Sequence, residues 1–323
     1  MIKTEVQMMK KNYCLLALAA VALAACSGDT DGMAGSVPPV AAEIQEPAAP
    51  ISLTASMSPG SGTTRAVGTL QAKAFDADEF VRVEVTPAGG TMQSSVYQAA
   101  EAVGSVNKLT AYSTALTWPA NGTAISVRAF YPSWVGSTTD RFTIETTQAD
   151  AAAYKASDLM YASVENQTKT ADNPVDLTFS HCMAKVIVNI NKGSGVTDED
   201  IAASIVSVYA NTQVDIASGQ ADKATAAEPA WIALGNGSGQ AAIIVPQVID
   251  GSEEAREFIR VAIGGNNAVY KLAKLKEFSP GKKYTYTLKV SVNGILLQST
   301  AIEPWDDRDG ANTIDATGNP LTF

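Results

Sequence analysis

"LTFSHCMAKVIVNI", residues 177–190, decides how this chain is read. It is rich in Phe, Thr, Val and Ile, which suit a pleated, half-buried strand surface. Val175, Leu177, Phe179, His181 and Met183 share one phase of a two-residue period. Ala184, Val186, Val188 and Ile190 share the other. The alternation slips by one residue at Met183–Ala184. Such a slip marks a β-bulge, or a strand that passes from one packing environment to another. A polar run, ENQTKTADNP (165–174), comes just before. The stretch therefore reads as the opening strand of a second β body, beginning at 175, close to its border with the first.

The same stretch holds the only histidine, His181, beside one of three cysteines, Cys182. Neighbouring strand residues point to opposite faces. The pair cannot share the hydrogen bond that a Cys–His nucleophile needs. The reading is structural: Cys182 packs as a small apolar residue and His181 as a hydrogen-bonded one. A single His also leaves a His-ligated zinc set nearly excluded.

Working outward, alternation recurs along the chain. In ISLTASM (51–57), Ile51, Leu53, Ala55 and Met57 fall on one face, and Ser52, Thr54 and Ser56 on the other. FVRVEV (80–85), AISVRAFYP (124–132) and RFTIETT (141–147) repeat the pattern, SDLMYASV (157–164) more weakly. AAIIVPQVI (241–249) is a further strand, and residues 257–273 form a hairpin about Gly264–Asn267. In YTYTLKVSVNGILLQ (284–298), a type I′ turn at Asn293-Gly294 is expected. One short helix is expected at 197–205, capped by Thr197, with Asp198, Glu199 and Asp200 at its positive end. The expectation is an all-β protein of two sandwiches in series, 51–174 and 175–323.

The chain has 323 residues and a net charge of −10. An acidic surface without a Lys/Arg cluster repels phosphates and argues against nucleic acid as a partner. At the start, Lys10 and Lys11 precede an apolar run, Tyr13–Ala25. That run is shorter than the ~20 residues a membrane span needs and fits a signal peptide, residues 1–25. It ends in Leu23-Ala24-Ala25-Cys26, the pattern of a bacterial lipobox whose cysteine is acylated. Cys14 leaves with the signal and Cys26 carries lipid, so Cys182 has no disulfide partner in the chain. Residues 26–50, rich in Pro, Ala, Gly and Asp, read as a tether. After the 51–57 strand, SPGSGTTRAVG (58–68) sets Arg65 among small residues, a preferred setting for proteolysis.

Nucleotide-binding and hydrolase motifs are missing. Acidic runs at Asp198–Asp200, Glu253–Glu254 and 306–309 read as solvated loops. DDRDGAN (306–312) resembles a calcium loop but lacks its closing Glu. Trp134, Trp231 and Trp305 are candidate sugar platforms or packing residues. No cofactor is expected.

Several of these stretches together resemble the fimbrillin family, the type V pilus subunits of Gram-negative anaerobes. They are the lipobox Cys26, the 51–57 strand followed by TTRA, and Phe179, His181, Lys185 and Val186 in the opening stretch. SPGKKYTYTLKVSVNGI (279–295) and IEPWDD (302–307) complete the set. The resemblance implies two tandem transthyretin-like β-sandwich domains behind a lipoprotein signal and a flexible tether, with no enzymatic activity. It implies a lipid-anchored precursor on the cell outer membrane, with palmitate on Cys26. It also implies a cut at Arg65–Ala66 by an arginine-specific surface protease. Ile51, Leu53, Ala55 and Met57 then leave as a strand, and other fimbrial subunits join by strand donation. The product is a fimbrial subunit or a tip or accessory adhesin whose surface receptor the sequence does not name. The alternative is a glycan-binding surface lipoprotein, which would share the anchor and the sandwiches.

Overall fold

The alternating runs fold as strands. The computed structural model describes residues 49–58, 74–170, 173–217, 219–225, 227–252 and 256–305, and the backbone of Thr313–Ile314. β1 (Leu53–Met57) buries Leu53, Ala55 and Met57 and leaves Thr54 and Ser56 on the other face. β2 (Phe80–Pro87), β3 (Gln93–Ala99), β4 (Val106–Ala111) and β5 (Ile125–Tyr131) follow. β6 (Arg141–Thr143) and the short helix α1 (Ala151–Ala156) come next, before β7 (Met160–Gln167) and β8 (Val175–His181). Seven strands close into a barrel in the order β1-β4-β3-β2-β5-β7-β8. Val81, Val83, Val85, Val127, Leu177 and Phe179 fill it.

The second half begins with β9 (Ala184–Lys192) and α2 (Asp198–Ala203). β10 (Ile205–Asn211), β11 (Gln213–Ala217), β12 (Gln220–Lys223), β13 (Pro229–Asn236), β14 (Gln240–Ile244) and β15 (Gln247–Ile249) follow. The series ends with β16 (Glu257–Ile263), β17 (Asn266–Lys271), β18 (Lys276–Phe278), β19 (Lys282–Ser291), β20 (Gly294–Pro304) and β21 (Thr313–Ile314). A sheet ordered β13-β10-β16-β17 and another ordered β14-β9-β19-β20-β21 make up its larger layers. They bury one shared core, with Val186, Val188 and Tyr286 from one sheet and Val206, Ile232 and Val261 from the other. This is the β-sandwich arrangement.

The all-β expectation is met, with two differences. The first sheet closes on itself, because β1 pairs antiparallel with β4 and parallel with β8 and so stitches its two edges together. The strand opening at 175 belongs to the first core, not the second. In ENQTKTADNP, Glu165–Gln167 are the end of β7, and the run leads to β8, the antiparallel partner of β7. The chain changes core between Phe179 and Cys182, just before the phase slip at Met183–Ala184: Phe179 packs in the barrel, and Cys182, Met183 and Ala184 in the sandwich. The halves also share a small sheet in which β6 pairs with β11.

Local details follow residue chemistry. Thr197 caps α2 in a capping box with Asp200, and the helix stops at Ala203, short of the expected 205. The β16–β17 turn is centred on Gly264-Gly265, both at positive φ (55° and 83°), as a type I′ turn requires. The β19–β20 turn differs from expectation. Ser291 pairs with Gly294, so Val292 and Asn293 are its central residues and only Gly294 has positive φ. A type I′ turn would need positive φ at both central residues.

Candidate functional site

β1 lies in a slot between β4 and β8. Its partners run from Leu53↔Leu109 to Ser56↔Val106 on one side and from Leu53↔Val175 to Met57↔Phe179 on the other. Thr54 also donates its hydroxyl hydrogen to Asp176. Ile51, Leu53, Ala55 and Met57 are all buried. This follows from their shared phase: a strand built into a closed barrel turns one face wholly inward. Ala55 is fully buried opposite Asn107.

Asn107 carries a role that strand patterning does not assign. Its side chain accepts from Phe75 N–H (2.8 Å) and donates to the carbonyls of Phe75 (2.9 Å) and Ala100 (2.8 Å). Phe75 in turn sets its ring edge-on to Phe179, with centroids 4.9 Å apart. The available signal was a polar residue at an inward position of VNKLTA. Ser58 N–H donates to Phe179 O (2.7 Å). The chain is thus pinned at Ser58 and again at Phe75, on either side of Arg65 and Ala66. Those two residues and Cys26 lie outside the described residues, as do Glu253, Glu254 and the loop at 306–312.

β8 depends on β1. Its ladder with β7 has two residue pairs, Met160↔His181 and Tyr161↔Ser180, whereas β1 faces every residue from Val175 to Phe179.

At the end of β8 the expected separation of His181 and Cys182 is present. His181 Nδ1 lies 2.9 Å from Oδ1 of the fully buried Asp158. Its ring stacks on Trp305, centroids 4.0 Å apart and planes 5° from parallel. Cys182 Sγ instead donates to Gly219 O (3.2 Å). Burial, helped by the nearby Asp158, pushes the Cys182 thiol up to about 12. It is protonated at neutral pH and a poor nucleophile there. Sequence reading missed Asp158 as the histidine's partner, because pairing across a fold leaves no local pattern.

The other candidates do not converge. Trp305 is buried; Trp134 lies flat on Phe142; Trp231 is covered by the Arg260 guanidinium, 4.4 Å from the ring centre. Asp198 pairs with Lys192 (2.6 Å), and Asp200, held below the usual carboxylate range by hydrogen bonds from Thr197, caps α2. Among the described residues no group of three or more His, Cys, Asp or Glu is arranged to hold a metal. Among them, too, no helix is long and apolar enough to cross a membrane.

The family described as fimbrillin-like matches residues 64–305. No curated protein sequence matches the chain. Two solved structures are each described as a "putative cell adhesion protein". The one from Bacteroides uniformis has a TM-score of 0.61 and 21% identity, over 79% of this chain and 98% of that one. The one from Bacteroides ovatus has a TM-score of 0.59 and 18% identity, over 81% and 99%. A looser likeness, TM-score 0.48 and 12% identity over 79% and 99%, is to the C-terminally truncated tip fimbrial protein Mfa3 of Porphyromonas gingivalis. At these identities the likeness is one of fold.

Proposed function

The chain belongs to the fimbrillin-like family, and on that premise we propose that it is a non-enzymatic fimbrial subunit or accessory adhesin, armed by removal of its first strand. The observation that carries this is the placement of β1. It is zipped between β4 and β8 on both sides. Residues 59–73, with Arg65 among them, are its only onward connection to the rest of the body. A cut at Arg65–Ala66 by an arginine-specific surface protease leaves β1 held by non-covalent contacts alone. Asn107 keeps the other side of the cut in place through Phe75. The vacated slot exposes two strand edges, which template the addition of a strand from another fimbrial subunit.

Export completes the proposal. Cys26 carries the lipid that holds the precursor on the outer membrane, and residues 26–50 are its tether. The body comprises two tandem transthyretin-like domains, with β8 counted in the first. Residues 306–323, DDRDGANTIDATGNPLTF, alternate poorly and contain Pro320, so this segment would donate a weak strand. A tip or accessory position suits a subunit that accepts a strand better than it gives one.

The test is incubation of the purified protein with an arginine-specific protease in the presence of fimbrial subunits from the same cells. Wild type should shift into heat-resistant complexes and Arg65→Ala should stay monomeric. Equal assembly by both would defeat the proposal.

A further inference from the structure

β9 and β19 run parallel, and both start beside the barrel, where Gly281 N–H donates to Met183 O (2.8 Å). Their far ends, at Lys192 and Ser291, therefore mark the pole of the sandwich that faces away from the β1 slot. That pole carries an open cleft of about 450 Å³, between the β16–β17 turn, the β19–β20 turn and the start of α2. The size lies within the ~300–1,000 Å³ usual for small-molecule sites.

The chemistry of the cleft is selective. Its accessible apolar lining is Val292, 70% exposed, with the half-buried Val196 and Ile263. Its mouth carries three amides, Asn266, Asn267 and Asn293, all exposed. The Gly264-Gly265 turn sets the first two there; a Cβ on either glycine would meet nothing within 4 Å, so these glycines serve the backbone and not the packing. The side chains of Asn266 and Asn267 make no hydrogen bond to another described residue. Each amide offers an acceptor and two donors, the complement of a ligand whose groups are also both. Among the described residues, no Lys or Arg lines the cleft, and Asp200 is its only charged residue. An anionic ligand would face that carboxylate on a chain of net charge −10.

We infer that this polar cleft is a saccharide subsite for a neutral hexose or N-acetylhexosamine. Ring hydroxyls would meet the asparagine amides and the C–H face would lie on Val292 and Ile263. The use of the site in attachment rests on the adhesin reading, but binding itself is measured on the isolated protein. Among the described residues no aromatic ring lines the cleft, so a single sugar should bind weakly, in the millimolar range that saturation-transfer NMR detects.

The experiment uses the purified protein with galactose, glucose, mannose, N-acetylglucosamine and N-acetylgalactosamine, and N-acetylneuraminic acid as the anionic comparison. At least one neutral sugar should give transfer, more strongly than the acid. Asn266→Ala/Asn293→Ala should reduce it at least tenfold, and Asn267→Arg should do the same by filling the mouth. Both variants alter exposed turn residues and should keep the wild-type melting temperature and incorporation into fimbriae. No transfer to any neutral sugar, undiminished transfer in both folded variants, or stronger transfer to the acid would each overturn the inference. Failure of wild type to enter fimbriae would instead count against the fimbrial reading and leave the sugar result standing.

Discussion

A disulfide that ties β1 to β4 separates cutting from strand release. Thr54 and Lys108 are directly opposite on these antiparallel strands, and neither is buried. Opposing residues in such a pair have Cα atoms about 4.5–5.5 Å apart, within the ~4.4–6.8 Å that a disulfide spans. Cys182, the one free cysteine among the described residues, is buried and protonated, so it competes poorly for the new bridge. Thr54→Cys/Lys108→Cys should therefore lock β1 in oxidising buffer and release it in dithiothreitol.

The magnitude follows from what residues 51–57 bury. Ile51, Leu53 and Met57 are 4%, 1% and 7% exposed. At ~1.5–3 kcal/mol for each large side chain, they represent roughly 5–9 kcal/mol of gross hydrophobic burial. That is comparable to the ~5–15 kcal/mol by which a whole domain is stable. A barrel that simply lost β1 would be close to unfolding, so the cut strand should stay until another replaces it. While tethered, β1 competes at an effective concentration on the order of millimolar, and a micromolar peptide loses. The assay is fluorescence anisotropy of a labelled ISLTASM peptide, the sequence already known to fit the slot. Cut, reduced protein should take it up; cut, oxidised protein and uncut Arg65→Ala should not. Equal uptake by the locked and unlocked forms would refute strand release.

Other outcomes are expected. Cys26→Ala should abolish palmitate labelling and remove the precursor from the outer-membrane fraction, since stable anchoring requires the acyl chains. The folded Cys182 thiol titrates higher than the unfolded one, so the folded state holds the proton longer and loses stability as pH rises from the usual thiol range towards about 12. Tyr286, Tyr270 and Tyr97, also raised by burial, act in the same direction. Urea titrations should show a shallower alkaline loss in Cys182→Ala, with strand exchange unchanged. His181→Ala strips the fully buried Asp158 of its partner and should cost at least ~1–3 kcal/mol by the same measurement.

The sequence was most legible where one physical rule governs many residues. Period two marked β1, β2 and β19 because a strand with one buried face has no other way to sort its side chains. Thr197 and Gly264-Gly265 announced a cap and a turn because few residues suit those backbones. The phase slip at Met183–Ala184 was visible, but which side Val175 to Phe179 belonged to was not. That depends on β1, far away in sequence, laying itself beside β8. Closure of the barrel, the Asn107 clasp and the Asp158–His181–Trp305 contact are all non-local in the same way. Alternation fixes which face is buried and leaves open what it is buried against. The three tryptophans failed as a set for a related reason: an aromatic residue does not reveal whether its ring faces solvent, a guanidinium or a histidine.

The unequal support of β8 leads to a last prediction. Removing β1 takes away its partner along Val175–Phe179, while Ser180 and His181 keep Tyr161 and Met160. Beyond them, Cys182 N–H still donates to Leu159 O (2.8 Å) and His181 still lies between Asp158 and Trp305. An empty slot should therefore loosen 175–179 and stop at the junction, leaving β9 and the sandwich closed. Amide hydrogen exchange reads this directly, because protection falls where a local opening becomes easy. In protein cut at Arg65 and stripped of β1 under mild urea, residues 175–179 and 106–109 should lose protection, and 184–190 should keep it. Adding the ISLTASM peptide should restore the first two segments together. If protection disappears from 184–190 at the same urea concentration, the two cores unfold as one unit, and the slot cannot be emptied and refilled while the rest of the protein stands.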